Sequence, residues 1–239
     1  YLTIRTNVEK NKSSLSKEFT RFKESVLKSD GNIEVDYTVW MPSTNELKVE
    51  NKFGDVYIDD YQGKADINVS NGNLKAHNFE GELNLTLSFA DATINSINMG
   101  YLDCNFSELY VKKAETIRLK SKSTEFEFQK ISNLNAESRR DKFRIRKIEA
   151  IDVTSSFTTI RINELTDRMK LRSEYGDLDI EKAALDFSII SIESKSTDVN
   201  LYFNETSKFD FEIRSTKSEL DYCTKINIEE EETLDEKEK

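Results

Sequence analysis

The feature that most constrains the fold of this chain is a turn signal that returns every 17 or 18 residues. Two longer steps of 21 residues follow the first eight copies. The first residues of the turns are Gly54, Gly72, Ala90, Ser107, Thr124, Asp141, Thr158, Gly176, Thr197 and Ser218. A repeat this short, kept over ten copies, is typical of stacked coils of strand and not of a globular core.

Apolar and polar residues alternate on both sides of each turn. If the first turn residue is position zero, apolar residues recur at positions +2, +4, −5 and −7, with a further apolar position at +7. The residues at +2 are Val56, Leu74, Ala92, Leu109, Phe126, Phe143, Ile160, Leu178, Val199 and Leu220. Alternation with a period of two predicts strands with one buried face. We therefore expect two strands and a third, shorter side in each coil.

Position −3 should also point inward, yet it is mostly serine. Ser121, Ser138, Ser155 and Ser173 are consecutive members of this column, and Cys104 precedes them. Hydroxyls stacked at about 4.8 Å can hydrogen-bond to the next coil, so we expect a structural role. A row of catalytic serines is the alternative, but His77 is the only histidine in the chain and lies elsewhere. Cys223 lies about seven coils from Cys104, too far for a disulfide.

Strands that repeat in one direction and register predict an all-β chain, a parallel β-solenoid of about ten coils of 17–21 residues. Parallel crossovers are overwhelmingly right-handed, so we expect a right-handed coil. Before it, residues 1–46 are predicted to form an N-terminal cap of strand, helix and strand. The apolar stripe of Leu15, Phe19, Phe22 and Val26 places the helix over 14–28. A strand precedes it at 1–8, and another follows it at Ile33, Val35, Tyr37 and Val39. The solenoid should span 47–228, and 229–239 form an acidic tail.

Charge and hydropathy exclude several function classes. The net charge is −10 with no basic stripe, which argues against nucleic acid as a partner. No stretch approaches the roughly 18 apolar residues of a membrane span. No signal peptide is visible, although the sequence begins at Tyr1 without Met, so a signal peptide or lipid anchor upstream stays open.

Two columns at the turns carry side chains suited to binding. Position −1 holds Phe53, Phe89, Phe106, Phe157 and Tyr175. Alternation favours an inward position, so we expect these rings to be buried or half-buried; if they point outward, they form a strip suited to stacking on sugars. Position +1 is mostly acidic, which suits solvated turns, with Ca²⁺ binding as the alternative. A binding surface is therefore expected along the turn edge. Its candidate residues are Asp55, Tyr57, Asp91, Glu108 and Tyr110.

Residues 32–58 also carry a family resemblance. The patterns V-D-Y-x-V-x-M-P and L-x-x-x-N-K-[FY]-G-D-V-x-I both occur in this segment. It resembles the DUF4097 type of adhesin-like β-helix proteins of unknown function, found in Bacteroidetes-type bacteria. The resemblance implies an extracytoplasmic protein of the periplasm or cell surface, and it brings no catalytic residues.

These observations favour a non-enzymatic protein that presents a rigid side face for adhesion or for binding envelope or surface partners. A polysaccharide or an envelope protein is the expected partner, with no cofactor and no metal. One alternative is a structural spacer or assembly element. A polysaccharide-active enzyme is a weaker alternative, because most coils are too short to carry the loops that build a catalytic groove.

Overall fold

The computed structural model describes residues 36–210, 212–214 and 221, and all ten strands found there belong to one parallel sheet. Their bounds are β1 Leu47–Lys52, β2 Asp55–Ile58, β3 Ala65–Ser70, β4 Asn73–Ser88, β5 Asp91–Asn105, β6 Glu108–Lys122, β7 Glu125–Arg139, β8 Lys142–Ser156, β9 Thr159–Ala183 and β10 Ile189–Phe203. The sheet order is β1-β3-β4-β5-β6-β7-β8-β9-β10, and β2 pairs with β4. This is a parallel β-solenoid of about nine turns, as predicted.

Each central coil is a single bent strand. Strands β5 to β8 each have 15 residues and run from one turn almost to the next. The expectation of separate strands within a coil was therefore wrong, because the ladder hydrogen bonds continue around the bends. Register shifts mark two of these bends, between Phe79 and Glu82 and between Ile148 and Ala150. Only the turn corner interrupts the strand.

The predicted apolar columns form the core. Phe126 and Phe128 are fully buried, and Phe126 stacks on Phe143 of the next coil at 4.8 Å between centroids. Gly100 stands in the −7 column, where a Cβ would lie 2.8 Å from Cδ1 of Ile117. The larger side chain of the next coil therefore fills the space that Gly100 leaves. In the outer coils the same columns are only half-buried, because a coil at an end has a neighbour on one side only.

The serine column is internal, as expected. Ser121, Ser138, Ser155 and Ser173 are all buried. Ser155 donates a hydrogen bond to the hydroxyl of Ser173 on the next coil, at 3.2 Å. The burial and hydrogen bonding of these hydroxyls agree with the structural role expected of them.

Several predictions concern the two ends of the chain. The helix over 14–28 and the acidic tail 229–239 lie outside the described residues, as does the tenth coil around Ser218. Of the strand predicted after the helix, Ile33 and Val35 lie outside the described residues, and Tyr37 and Val39 are described without strand structure. The N-terminal cap as a whole stays a prediction. Contacts divide the chain into units Tyr1–Ser207 and Lys208–Lys239; the described residues of the second contain no strand. Right-handedness stays a prediction.

Candidate functional site

A left-handed backbone conformation recurs at every turn corner in the described solenoid. The residue before each turn pair has φ between 48° and 63°. These corner residues are Phe53, Asn71, Phe89, Phe106, Ser123, Arg140, Phe157, Tyr175 and Ser196. The backbone N–H groups of the first seven donate to a carbonyl of the next coil; that of Phe106, for example, donates to the carbonyl of Lys122 at 3.0 Å. The corner thus reverses the chain without losing the hydrogen bond to the next coil.

The corner aromatic side chains point into solvent. Phe53 is 73% exposed, Phe89 62%, Phe157 52%, and Phe106 and Tyr175 45% each. The expectation that these rings are buried or half-buried was therefore wrong. Strict alternation assumes extended backbone on both sides of a residue, and the left-handed corner breaks it. The alternative interpretation, an exposed aromatic strip, is the one the structure supports.

Four of the five rings form two stacked pairs. Phe89 and Phe106 stack at 5.0 Å between centroids with 3° between ring planes. Phe157 and Tyr175 stack at 5.1 Å with 13° between planes. Such aromatic pairs contribute about 0.5–1.5 kcal/mol beyond the burial of their surface. Each pair therefore holds its own rings in a fixed orientation on the outside of the solenoid.

Cationic side chains lie over three of these rings. Nζ of Lys52 is 5.4 Å from the ring centroid of Phe53, and Nζ of Lys122 is 5.6 Å from that of Phe106. The guanidinium carbon of Arg140 is 5.8 Å from the centroid of Phe157. These distances allow cation–π attraction of about 0.5–1 kcal/mol at exposed sites. The strip is therefore mixed in character, aromatic and cationic.

The choice of aromatic residues at these corners is unfavourable for stability. A non-glycine residue in the left-handed region costs roughly 1–2 kcal/mol, and glycine or asparagine avoids much of this. Asn71 is the only corner residue of that kind in the described solenoid. Five corners instead combine backbone strain with an exposed ring. Strained conformations of this kind cluster at functional sites.

The predicted tyrosines do not form a continuous row. Tyr57 is 68% exposed, whereas Tyr110 is half-buried. The register Tyr57↔Lys75↔Thr93↔Tyr110 places them three coils apart, which is roughly 14 Å at the spacing of neighbouring strands. Nζ of Lys75 lies 5.8 Å from the ring centroid of Tyr57. Tyr57 is therefore close to the strip, and Tyr110 contributes a smaller accessible surface.

The predicted acidic residues are exposed beside the strip. Asp91 and Glu108 are register partners on adjacent coils, and Asp55 is separated from Asp91 by Asn73. Asp55 accepts a hydrogen bond from Nδ2 of Asn73 at 2.7 Å. In the part of the chain that the structure describes, no group of three or more acids, histidines or cysteines is placed to hold a metal ion. Whether Ca²⁺ binds this column stays untested.

Comparison with models of known protein families matches residues 6–239 to Toastrack DUF4097. The chain belongs to this family. The resemblance noted in residues 32–58 is thereby confirmed, whereas an origin in Bacteroidetes-type bacteria stays a prediction. No curated protein and no solved structure matches this Toastrack chain. Over residues 36–210, 212–214 and 221, no helix is long and apolar enough to cross a membrane.

Beneath the corner of the Toastrack chain lies a buried carboxylate that the sequence pattern did not predict. Asp141 is 2% exposed, and its Oδ2 accepts hydrogen bonds from the hydroxyls of Ser121 and Ser138, each at 2.6 Å. The backbone N–H of Thr124 donates to Oδ1 at 2.7 Å, and that of Arg139 donates to Oδ2 at 3.0 Å. These four hydrogen-bond donors, and not a cation, compensate the negative charge of the Asp141 carboxylate.

The neighbours of Asp141 at the first turn position explain its placement. Thr124 and Thr158 occupy the same position in the adjacent coils and are buried as well. The hydroxyl of Thr158 lies 3.0 Å from that of Ser138. A hydrogen-bonded chain therefore runs along the inside of the corner and fixes the backbone that presents the exposed strip. In the sequence, the only indication of this buried network was an aspartate at a turn position that otherwise holds small polar residues.

Proposed function

We propose that this Toastrack protein is a non-enzymatic, extracytoplasmic binding protein that presents its turn corner to a glycan or another envelope or surface partner, as in adhesion. The corner surface comprises the exposed rings and the residues beside them. These are Phe53, Asp55, Tyr57, Phe89, Asp91, Phe106, Glu108, Tyr110, Phe157 and Tyr175. The observation that carries the proposal is the exposure of five aromatic rings at strained, left-handed corners.

The geometry of the strip suits recognition of a sugar chain. Four of its five rings are fixed by stacking, and all are carried on a parallel sheet, so little conformational freedom is lost on binding. Repeated sites along one axis also favour an extended ligand, because a second contact becomes intramolecular after the first. Each single contact can therefore have low affinity while the extended ligand as a whole binds tightly.

A structural spacer is the competing function. A spacer requires the buried columns and the serine ladder but not the exposed rings, and asparagine would suit its corners better. The two functions therefore differ in one prediction. Removing the rings weakens ligand binding by a binding protein and leaves a spacer unaffected.

Corner variants test this directly. Phe89→Asn/Phe106→Asn and Phe157→Asn/Tyr175→Asn each remove one stacked pair and introduce a residue compatible with left-handed backbone. Tyr202→Asn is the control, because Tyr202 is 59% exposed and lies away from the corner column. Tyr57→Ala/Tyr110→Ala tests whether the surface extends to the adjoining strand. Binding to purified envelope polysaccharides and to intact cells is the measurement.

We expect each stacked-pair variant to lose at least about tenfold in affinity, as removal of a hot spot of 1.4 kcal/mol or more would give. The Tyr202→Asn control should bind like the wild type. Equal binding by the wild type and both pair variants, or no binding by the wild type, would contradict the proposal. Protease accessibility of the protein in intact cells separately tests the extracytoplasmic location.

A further inference from the structure

Four cationic side chains lie together between the two stacked pairs. Lys122 ends β6, Arg139 ends β7, Arg140 is the corner residue that follows, and Lys142 begins β8. Lys122 and Arg139 are register partners on adjacent coils. All four side chains are exposed. We call these four residues the corner cation cluster.

The corner cation cluster is not neutralised by ion pairs. In the described residues, Arg144 pairs with Glu125 of the preceding coil and Lys147 with Glu164 of the following coil, but no carboxylate lies within 4.0 Å of the four cluster cations. Glu125 is the register partner of Lys142, yet it is engaged by Arg144. Asp141 lies beneath the cluster with its carboxylate bound by four internal donors. Four positive charges thus face solvent in a chain whose net charge is −10.

The surroundings of the cluster divide the corner into three parts. Phe89 and Phe106 precede it along the solenoid axis, and Phe157 and Tyr175 follow it. Phe106 and Phe157 are three coils apart, roughly 14 Å at the spacing of neighbouring strands. Acids flank the rings on the adjoining strand, as Asp91 and Glu108 do beside the first pair. Along the corners from Phe89 to Tyr175, the cationic side chains next to the turns therefore lie between the two ring pairs.

We infer that the ligand of this corner is an acidic polysaccharide. Its sugar rings pack against the exposed surfaces of the two aromatic pairs, and a carboxylate, sulfate or phosphate substituent between them is bound by the corner cation cluster. This inference rests on the proposed binding function and adds the class of ligand. Arg139 and Arg140 supply planar guanidinium groups that can bind such an anion through two parallel hydrogen bonds. Arg140 also contacts the ring of Phe157 and so connects the two kinds of subsite.

The spacing of charges favours an acidic polysaccharide over a nucleic acid. A nucleic-acid strand carries a phosphate on every nucleotide, about every 3.4 Å along the axis of a duplex, so a strand along this corner would place phosphates beside the acids that flank the rings. A polysaccharide in which neutral rings separate the acidic ones places charge at intervals. The order of ring pair, cations and ring pair matches such a polymer.

Binding of three soluble polymers to the full chain tests the inference. Hyaluronan alternates an acidic uronate with a neutral amino sugar, dextran is a neutral polysaccharide, and polyuridylate represents a single-stranded nucleic acid. The variants are Arg139→Gln/Arg140→Gln and Lys122→Gln/Lys142→Gln. The control Lys112→Gln/Lys130→Gln removes the same charge from exposed positions outside the cluster. Thermal unfolding verifies that every variant is folded, and calorimetry measures affinity at low and high salt.

We expect hyaluronan to bind at least about tenfold more tightly than dextran at low salt, with the advantage reduced by salt. Each cluster variant should lose about tenfold in hyaluronan affinity and keep its dextran affinity, while the control stays near the wild type. Equal binding of hyaluronan and dextran, both lost in the ring variants, would overturn the inference and leave the proposed function standing. Preference for polyuridylate, or an equal loss in the control, would also overturn it. No binding of any polymer or cell surface would contradict both proposals.

Discussion

The rings of Phe157 and Tyr175 lie 5.1 Å apart and nearly parallel, although each residue stands at a left-handed corner of its own coil. Parallel in-register coils bring every corner residue directly above its counterpart. The solenoid therefore converts a residue that recurs in the sequence into a continuous surface. The same relationship joins Phe89 to Phe106 and places Ser123 and Arg140 between the two pairs.

The exposed rings should contribute little to stability. Phe89→Asn/Phe106→Asn removes a stacked pair but relieves backbone strain at two corners, so we expect the free energy of unfolding to change by less than about 1.5 kcal/mol. Phe126→Ala, which removes a fully buried ring, should cost about 3–5 kcal/mol. Urea denaturation of both variants measures the contrast. A corner variant as unstable as Phe126→Ala would show that the rings serve the fold.

The buried carboxylate of Asp141 should be a main determinant of the corner. Asp141→Ala leaves two hydroxyls and two backbone N–H groups without their acceptor, and we expect a loss of about 3 kcal/mol or more. Asp152→Ala is the matched control, because it removes an exposed carboxylate from the same coil. Chemical denaturation provides the comparison. If the two variants unfold alike, the hydrogen bonds to Asp141 are not structurally important.

The alternation along β8 predicts opposite outcomes for neighbouring positions. Ile145 is buried, so Ile145→Asp places an unpaired charge between two apolar coils and should cost several kcal/mol, on the order of 4. Arg146 points to solvent, so Arg146→Asp should change stability by less than about 1 kcal/mol. Thermal unfolding distinguishes them, and a stable, folded Ile145→Asp variant would refute the register.

The thiol of Cys104 should be unreactive in the folded protein. Burial, with smaller contributions from Asp103 and Asp141, raises the pKa of this thiol well above its ordinary range. In a Cys223→Ser variant, Cys104 is the only thiol in the chain. We expect no alkylation by iodoacetamide at neutral pH until urea unfolds the protein, because the reagent requires an accessible thiolate. Mass spectrometry reports the modification; rapid labelling of the native protein would contradict the described core.

The fold was predictable from the sequence because its determinants repeat. An apolar residue such as Phe128 or Ile162 recurs at the same distance from every turn, and alternation assigns its buried side. The serine column followed from the same rule, since Ser138 and Ser155 keep an inward position despite their polarity.

The corner surface was only partly predictable. Alternation fails where one residue adopts a left-handed conformation, and Phe106 and Tyr175 therefore point outward against their parity. The ring pairs and cations that meet there depend on the register between coils, which fixes that Lys122 lies beside Arg139. Asp141 was missed because a charged residue has no inward preference by itself; its burial depends on four donors from two adjacent coils.

The most direct test of a binding role for the corner is nuclear magnetic resonance of the protein with ¹³C-labelled phenylalanine and tyrosine. The titrant is an envelope polysaccharide that the wild type binds. We predict chemical-shift changes for Phe89, Phe106, Phe157 and Tyr175, with the buried rings of Phe126 and Phe143 unchanged. Changes confined to residues away from the corner, with these four rings unaffected at saturation, would contradict the account.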